Sequence, residues 1–210
     1  MESDDANRIS NCISGLSTER PCMDCPRECG ADRVNGAGFC GGGALPKIAR
    51  AALHFWEEPC ISGVNGSGTV FFSGCSLRCV YCQNRKIALG DVGTEVSVDR
   101  LAQIYLELQE QGAHNINLVT PAHETDAVIR SLESAKRQGL RVPVVYNTGS
   151  YEKVENLKRL EGLVDVWLPL ICDLSADSIS TFATKQGSQR TIYWEPERLI
   201  KSIAPTSASM

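Results

Sequence analysis

From Gly68 onward the chain alternates short apolar runs with amphipathic stretches, and this alternation limits the available folds more than any other feature. Thr69 to Ser73 is β-branched and aromatic, bounded by Gly68 and Gly74, and reads as a buried strand. Ser97 can cap a helix whose Leu101, Ile104, Tyr105 and Leu108 share one face, with Gly112 as its stop. Ile116 to Val119 reads as a second strand, and Val128, Leu132 and Ala135 mark a second helix ending at Gly139. Val142 to Tyr146 is a third strand, with Pro143 near its start, where a missing N–H is tolerated. A third helix from about Ser150 to Gly162 turns Val154 and Leu157 inward, and Val164 to Leu168 is a fourth strand. Apolar strands separated by amphipathic helices imply an α/β fold built on a parallel sheet with covered faces. The pattern leaves open whether that sheet is flat or curled, but in both cases ligands gather at the C-terminal ends of the strands.

Three segments follow from the pattern: a Cys-rich extension over residues 1–43, a strand–helix core over 44–169, and a divergent tail over 170–210. The extension has no sustained helical or strand period, so it needs a staple or a neighbouring domain to hold it, and Gly41 to Gly43 make a joint. After Pro46, the residues Ile48, Ala49, Ala52, Leu53 and Trp56 recur at helical spacing and predict a short helix. In the tail, one helix is predicted around Ile179 and Phe182, a short strand at Thr191 to Trp194, and an amphipathic piece at Glu197 to Ile203.

The chain has 210 residues, a net charge of −4 and no basic block, which argues against nucleic acid as a partner. No apolar run is long enough for a membrane span, and Met1 to Arg8 is too acidic for a secretory signal, so the expected compartment is the reducing cytoplasm. In that setting ten cysteines point to metal or redox chemistry rather than disulfides. Cys75, Cys79 and Cys82 form a C-x3-C-x2-C group directly after the first predicted strand. Three soft thiolates on one loop can hold three corners of a four-iron cluster and leave the fourth iron open; the alternative is structural zinc. No histidine lies close enough in sequence to complete a zinc site, the nearest being His54 and His114. Cys22, Cys25, Cys29 and Cys40 suggest a closed four-ligand site, either zinc or an accessory cluster, the alternative being four unligated thiols. Cys12, Cys60 and Cys172 stand alone and are assigned no role.

At these residues the chain resembles the radical S-adenosylmethionine superfamily, and within it the pyruvate formate-lyase activating enzyme-like subgroup. The segments that carry the resemblance are Gly74 to Asn84, Ala51 to Gly63, Glu107 to Pro121 and Val144 to Thr148, and it covers about residues 20–169. It implies an incomplete (β/α)6-type partial barrel and a [4Fe–4S] cluster on Cys75, Cys79 and Cys82 whose open iron is chelated by S-adenosylmethionine. It further implies reductive cleavage to a 5′-deoxyadenosyl radical, which abstracts hydrogen from a substrate; in activating enzymes that substrate is a glycine of a partner protein. The electron would come from a donor such as flavodoxin or ferredoxin.

By the same analogy Tyr81 would contact the adenine, its alternative being a packing aromatic. Many relatives carry Gly-Gly-Glu after the second strand, where this chain has Thr120 to Glu124, so Thr120 and His123 become candidate cofactor contacts, with helix capping or a surface role as the alternative for His123. Asn147 and Thr148 are candidate ribose or carboxylate contacts, or turn residues. The N-terminal cysteines resemble a Cys-Pro-Arg-x-Cys signature of the subgroup, implying a staple over the catalytic end, with electron relay as the alternative. After Pro169 the resemblance stops, where relatives continue with further strand–helix units, which implies a truncated or divergent C-terminal part. The competing function is a non-catalytic metal-binding remnant of such an enzyme.

Overall fold

A computed structural model describes residues 21–57 and 59–169. Its framework is a six-stranded sheet formed by β1 (Lys47–His54), β2 (Ser67–Phe72), β3 (Thr94–Glu95), β4 (Ile116–Val119), β5 (Val144–Thr148) and β6 (Val166–Pro169), in the spatial order β3-β1-β2-β4-β5-β6. The steps β2 to β4, β4 to β5 and β5 to β6 are parallel, while β1 runs antiparallel to both β2 and β3. The helices are α1 (Pro59–Ser62), α2 (Arg85–Ala88), α3 (Val98–Glu110), α4 (Thr125–Arg137) and α5 (Val154–Arg159), with a 3₁₀ turn at Ala122–Glu124. This is the α/β architecture of a partial barrel, with strand–helix repeats as the pattern implies.

The helix α3 starts where its sequence says it should: the Ser97 side chain accepts from the Arg100 N–H at 3.1 Å, satisfying one of the orphan donors of the first turn. Its Leu101, Ile104, Tyr105 and Leu108, with Val128, Leu132 and Ala135 of α4, pack on Val70, Phe72, Ile116, Leu118, Val144 and Tyr146 of the sheet. Because successive strand residues point to opposite faces, the register places Thr69, Asn117 and Val145 in one row of the other face, and Phe71, Val119, Asn147 and Leu168 in the next.

The helix predicted around Ile48 to Trp56 is instead the strand β1, a correction with a physical cause. A register shift between Ile48 and Arg50 inserts one extra residue, so Ile48 and Leu53 both reach the core although they are an odd number apart. The bulge imitates helical spacing, while pairing with β2 satisfies a row of backbone groups that would otherwise be exposed. The third helix begins at Val154, not Ser150, because Ser150 adopts φ of 62° in a turn after β5. Asn156 is its buried position, Leu160 just past its end is buried as well, and Val154 and Leu157 are only half-buried. The elements predicted around Ile179 and Phe182, Thr191–Trp194 and Glu197–Ile203, and the cysteines Cys12 and Cys172, lie outside the described residues. Among the described residues no helix is long and apolar enough to cross a membrane.

Candidate functional site at the strand ends

Four parallel strands end on the same side, so the segments leaving β2, β4 and β5 meet there. β2 leads into Ser73, Gly74 and the cysteine loop; β4 leads into Thr120 and the 3₁₀ turn; β5 leads into Gly149 and Ser150. Gly74 has φ of 95°, and a Cβ on it would stand 2.5 Å from the Cys40 carbonyl oxygen, so only glycine lets the two chains pass. That close approach is used: the Cys75 N–H donates to the Cys40 carbonyl at 3.0 Å. Cys75 is buried; Cys79 and Cys82 are half-buried on the loop that follows, closed by the Cys82 N–H on the Cys79 carbonyl at 3.2 Å. Leu77 anchors the loop against Gly149 at the end of β5.

The predicted contact residues divide. Thr120 is half-buried in the left-handed region at φ 56°, its N–H donating to the Asn147 carbonyl at 2.9 Å, so the ends of β4 and β5 are tied together. Asn147 is buried on the sheet face away from α3 and α4, whereas Thr148 donates to Glu152 Oε1 at 2.5 Å. His123 is 2% exposed, and its Nε2 meets the Ser73 carbonyl at 2.9 Å, two residues before Cys75. A carbonyl only accepts, so this bond puts the proton on Nε2 and leaves Nδ1 as a buried acceptor with no partner. Burial lowers the His123 pKa to about 4, and the ring is neutral at pH 7. Tyr81 is 98% exposed and packs against nothing, which removes its packing alternative among the described residues.

Residues 21–43 lie across this end. Arg33 is the tie: its Nε donates to the Gly43 carbonyl at 2.8 Å, its Nη1 to the His123 carbonyl at 2.8 Å, and its Nη2 to Glu124 Oε1 at 2.6 Å. Glu124 is 4% exposed, and burial pushes its carboxyl up, to about 7, against the pull of Arg33. The Phe39 ring lies under two guanidiniums, Arg27 at 3.6 Å and Arg78 at 4.7 Å from its centroid, and Arg27 Nε also donates to the Ser76 carbonyl at 2.5 Å. Lys153 Nζ reaches the Met23 carbonyl at 2.7 Å, and Asn156 Nδ2 reaches the Asp24 carbonyl at 2.5 Å. The segment with no core of its own is thus held by hydrogen bonds to the ends of β2, β4 and α5.

Sequence reasoning missed Arg33, Glu124 and Asn117. Asn117 is fully buried within β4, and neither atom of its amide has a partner. A lone amide inside an apolar strand was a readable signal, since such a group is costly unless something binds it. The Arg33–Glu124 pair spans the chain and left no local signature.

Three thiols follow one strand end on one loop, and Asn147 and Thr120 stand at the neighbouring strand ends of the α/β partial barrel. Residues 69–170 match the Radical SAM superfamily, and this stretch, from β2 to the end of β6, is a Radical SAM domain. The chain is also similar to an uncharacterized protein, MJ0674, of Methanocaldococcus jannaschii, at 28% identity over 159 residues, covering 70% of this chain and 44% of that relative. The chain therefore spans less than half the length of that relative. No solved structure matches.

A Radical SAM domain implies a [4Fe–4S] cluster and S-adenosylmethionine. The donor set fits that group: three soft thiols, and no histidine or carboxylate interleaved between them to complete a closed shell. Among the described residues no three His, Cys, Asp or Glu side chains stand together at metal-holding distance, so a cluster on this loop would require the three sulfurs to turn toward a common centre.

Proposed function

We propose that this chain holds a [4Fe–4S] cluster on Cys75, Cys79 and Cys82 and acts as a radical S-adenosylmethionine oxidoreductase. The observation that carries the reading is the emergence of all three thiols from the C-terminal end of β2 within a Radical SAM domain. When bound, the cluster would supply one electron to cleave the sulfonium C–S bond, giving methionine and a 5′-deoxyadenosyl radical that takes a hydrogen atom from the substrate. The chain's own part is to place and enclose. His123 fixes the carbonyl of Ser73 and so the start of the loop; Thr120 and Asn147 offer polar groups at adjacent strand ends; Arg33 and Phe39 hold residues 21–43 over the loop. Tyr81, free of packing, is available to lie against the adenine. Resemblance to activating enzymes favours a glycine of a partner protein as hydrogen donor, and a flavodoxin or ferredoxin as the electron source.

The test is anaerobic purification and reconstitution, followed by iron and acid-labile sulfide analysis and assay of 5′-deoxyadenosine after reduction with S-adenosylmethionine present. The expected result is a four-iron signal that changes when S-adenosylmethionine is added, with 5′-deoxyadenosine formed. Cys79→Ala should lose both while the thermal transition moves little, since Cys79 is half-buried on a loop. A cluster that leaves S-adenosylmethionine intact would instead make the chain a metal-binding remnant.

A further inference from the structure

Arg78 is the only charged residue between Cys75 and Cys82, and it directly precedes Cys79. It is half-buried, stands in the left-handed region at φ 51°, and lays its guanidinium over the Phe39 ring, 4.7 Å from the centroid. There its Nε is buried without a hydrogen-bond partner, and no carboxylate among the described residues pairs with it. Arg27 lies 3.6 Å from the same centroid. Its Nε donates to the Ser76 carbonyl inside the loop, and among the described residues it too has no carboxylate partner.

Arg33, in the same N-terminal segment as Arg27, is treated differently. It is half-buried like Arg78, yet it is paired with Asp24 at 3.3 Å and with Glu124 at 2.6 Å. The sequence widens the contrast: no Asp or Glu occurs from Pro59 to Gly90, where Arg78, Arg85 and Lys86 fall, although the chain has 25 acidic residues and a net charge of −4. Two guanidiniums on one ring repel each other, and a half-buried cation without a counter-charge is costly. The Phe39 ring offsets part of that cost, but a neutral ring does not replace an anion. Positive φ at Arg78 adds strain of its own. Groups kept in this condition beside a binding loop serve a bound partner, and here that partner has to be negative.

We infer that Arg78, assisted by Arg27, is the counter-charge of the iron–sulfur cluster and raises its reduction potential. The inference rests on the function proposed above, in which three thiolates of this loop hold the cluster. Such an assembly is anionic, and reduction adds one electron without a proton, so it gains one more unit of negative charge. A fixed positive charge beside it stabilises the reduced form more than the oxidised one. Net charge around a cluster is one of the levers by which a protein sets its potential. The half-buried setting of Arg78 keeps that interaction from being screened as it would be in open water. Phe39 gathers both guanidiniums at the loop, so residues 21–43 act on electron entry through that ring.

The experiment is a redox titration of the anaerobically reconstituted full chain against mediator dyes, with dithionite as the electron source and no S-adenosylmethionine present. The reduced cluster is followed by electron paramagnetic resonance. Arg78→Met keeps an apolar contact with Phe39 and removes the charge. At the parent's midpoint its reduced-to-oxidised ratio should drop roughly tenfold, a fall of about 59 mV for a one-electron couple. Arg78→Lys keeps the charge and gives up the planar stacking, so its ratio should stay within about threefold of the parent. Arg27→Gln leaves the loop sequence intact and should shift the potential the same way by less; it decides the matter if Arg78→Met holds no cluster. An unchanged potential in Arg78→Met, or an equal fall in Arg78→Lys, would overturn the assignment. So would a constant potential with a weakened spectral response to S-adenosylmethionine, which would give the charge to that cofactor's carboxylate. A parent chain that takes up no four-iron cluster would overturn the proposed function itself, an outcome distinct from all of these.

Discussion

The two ends of the parallel strands are built on opposite principles. At the N-terminal ends Asn115 uses all its polar groups: its Nδ2 donates to the Ile61 carbonyl at 2.7 Å, its Oδ1 accepts from Ser67 Oγ at 2.6 Å, and its carbonyl takes the Gly68 N–H at 2.9 Å. His114 Nε2 accepts two backbone N–H groups beside it, from Val64 and Asn65, each at 3.2 Å. At the C-terminal ends the chain carries Arg78, Thr120 and Ser150 at positive φ, a neutral histidine with an unpartnered Nδ1, a buried carboxyl, and three cysteines outside any disulfide. Left-handed backbone at a side-chain-bearing residue costs on the order of 1 kcal/mol, and an unpartnered buried polar atom costs a similar amount. The difference teaches that one end stabilises the domain, while the other keeps strained and unsatisfied groups where a ligand can use them.

The largest effect that would sharpen this comparison is expected at Arg33. Removing its guanidinium with Arg33→Met leaves Glu124 buried without its ion pair and releases two carbonyls, so stability should fall by about 3–5 kcal/mol in denaturant titration. A loss below about 1 kcal/mol would mean that residues 21–43 are held by something else. Next comes His123. Its pKa lies at about 4 in the folded chain against 6.5 ordinarily, so the unfolded chain takes up a proton first as pH falls. The stability it contributes is complete above 6.5 and drains away as pH drops toward 4, by about 3 kcal/mol in all. His123→Gln keeps an N–H for the Ser73 carbonyl and removes the titration, so its stability should be flatter across that interval. An unchanged pH slope in the variant would show that some other group is responsible.

Much of this could be read from sequence because the relevant interactions are local. Ser97, Leu101, Ile104, Tyr105 and Leu108 specify α3 through a cap and a repeat, and Thr69 to Phe72 specify β2 through composition, so both are found where expected. The strand-end position of Cys75 followed from that same local reading. β1 was misread because its bulge at Ala49 carries the apolar residues through a phase change that only pairing with β2 explains. The grip of Arg33 on Glu124 joins residues 91 apart, and no window of sequence contains it. His123 was legible as a polar residue near the site, but its bond to the Ser73 carbonyl depends on how β2 and β4 align.

The smallest expected effect tests the other end. Asn115→Ala would leave Ser67 Oγ and the Ile61 carbonyl without their buried partner, and should cost about 2 kcal/mol, less than the loss of the Arg33 charge. Ser67 begins β2 and Asn115 directly precedes β4, so the damage falls on the closed end of the two strands that deliver Cys75 and Thr120. Those strands are four to six residues long and clamped on both sides by neighbours, which should keep a local loss at their starts from reaching their ends. On the function proposed above, the variant should therefore melt earlier yet form 5′-deoxyadenosine at the parent rate once normalised to bound iron. If that normalised rate fell about tenfold, equivalent to about 1.4 kcal/mol at the chemistry, the two ends would be one cooperative unit and the division between them would fail.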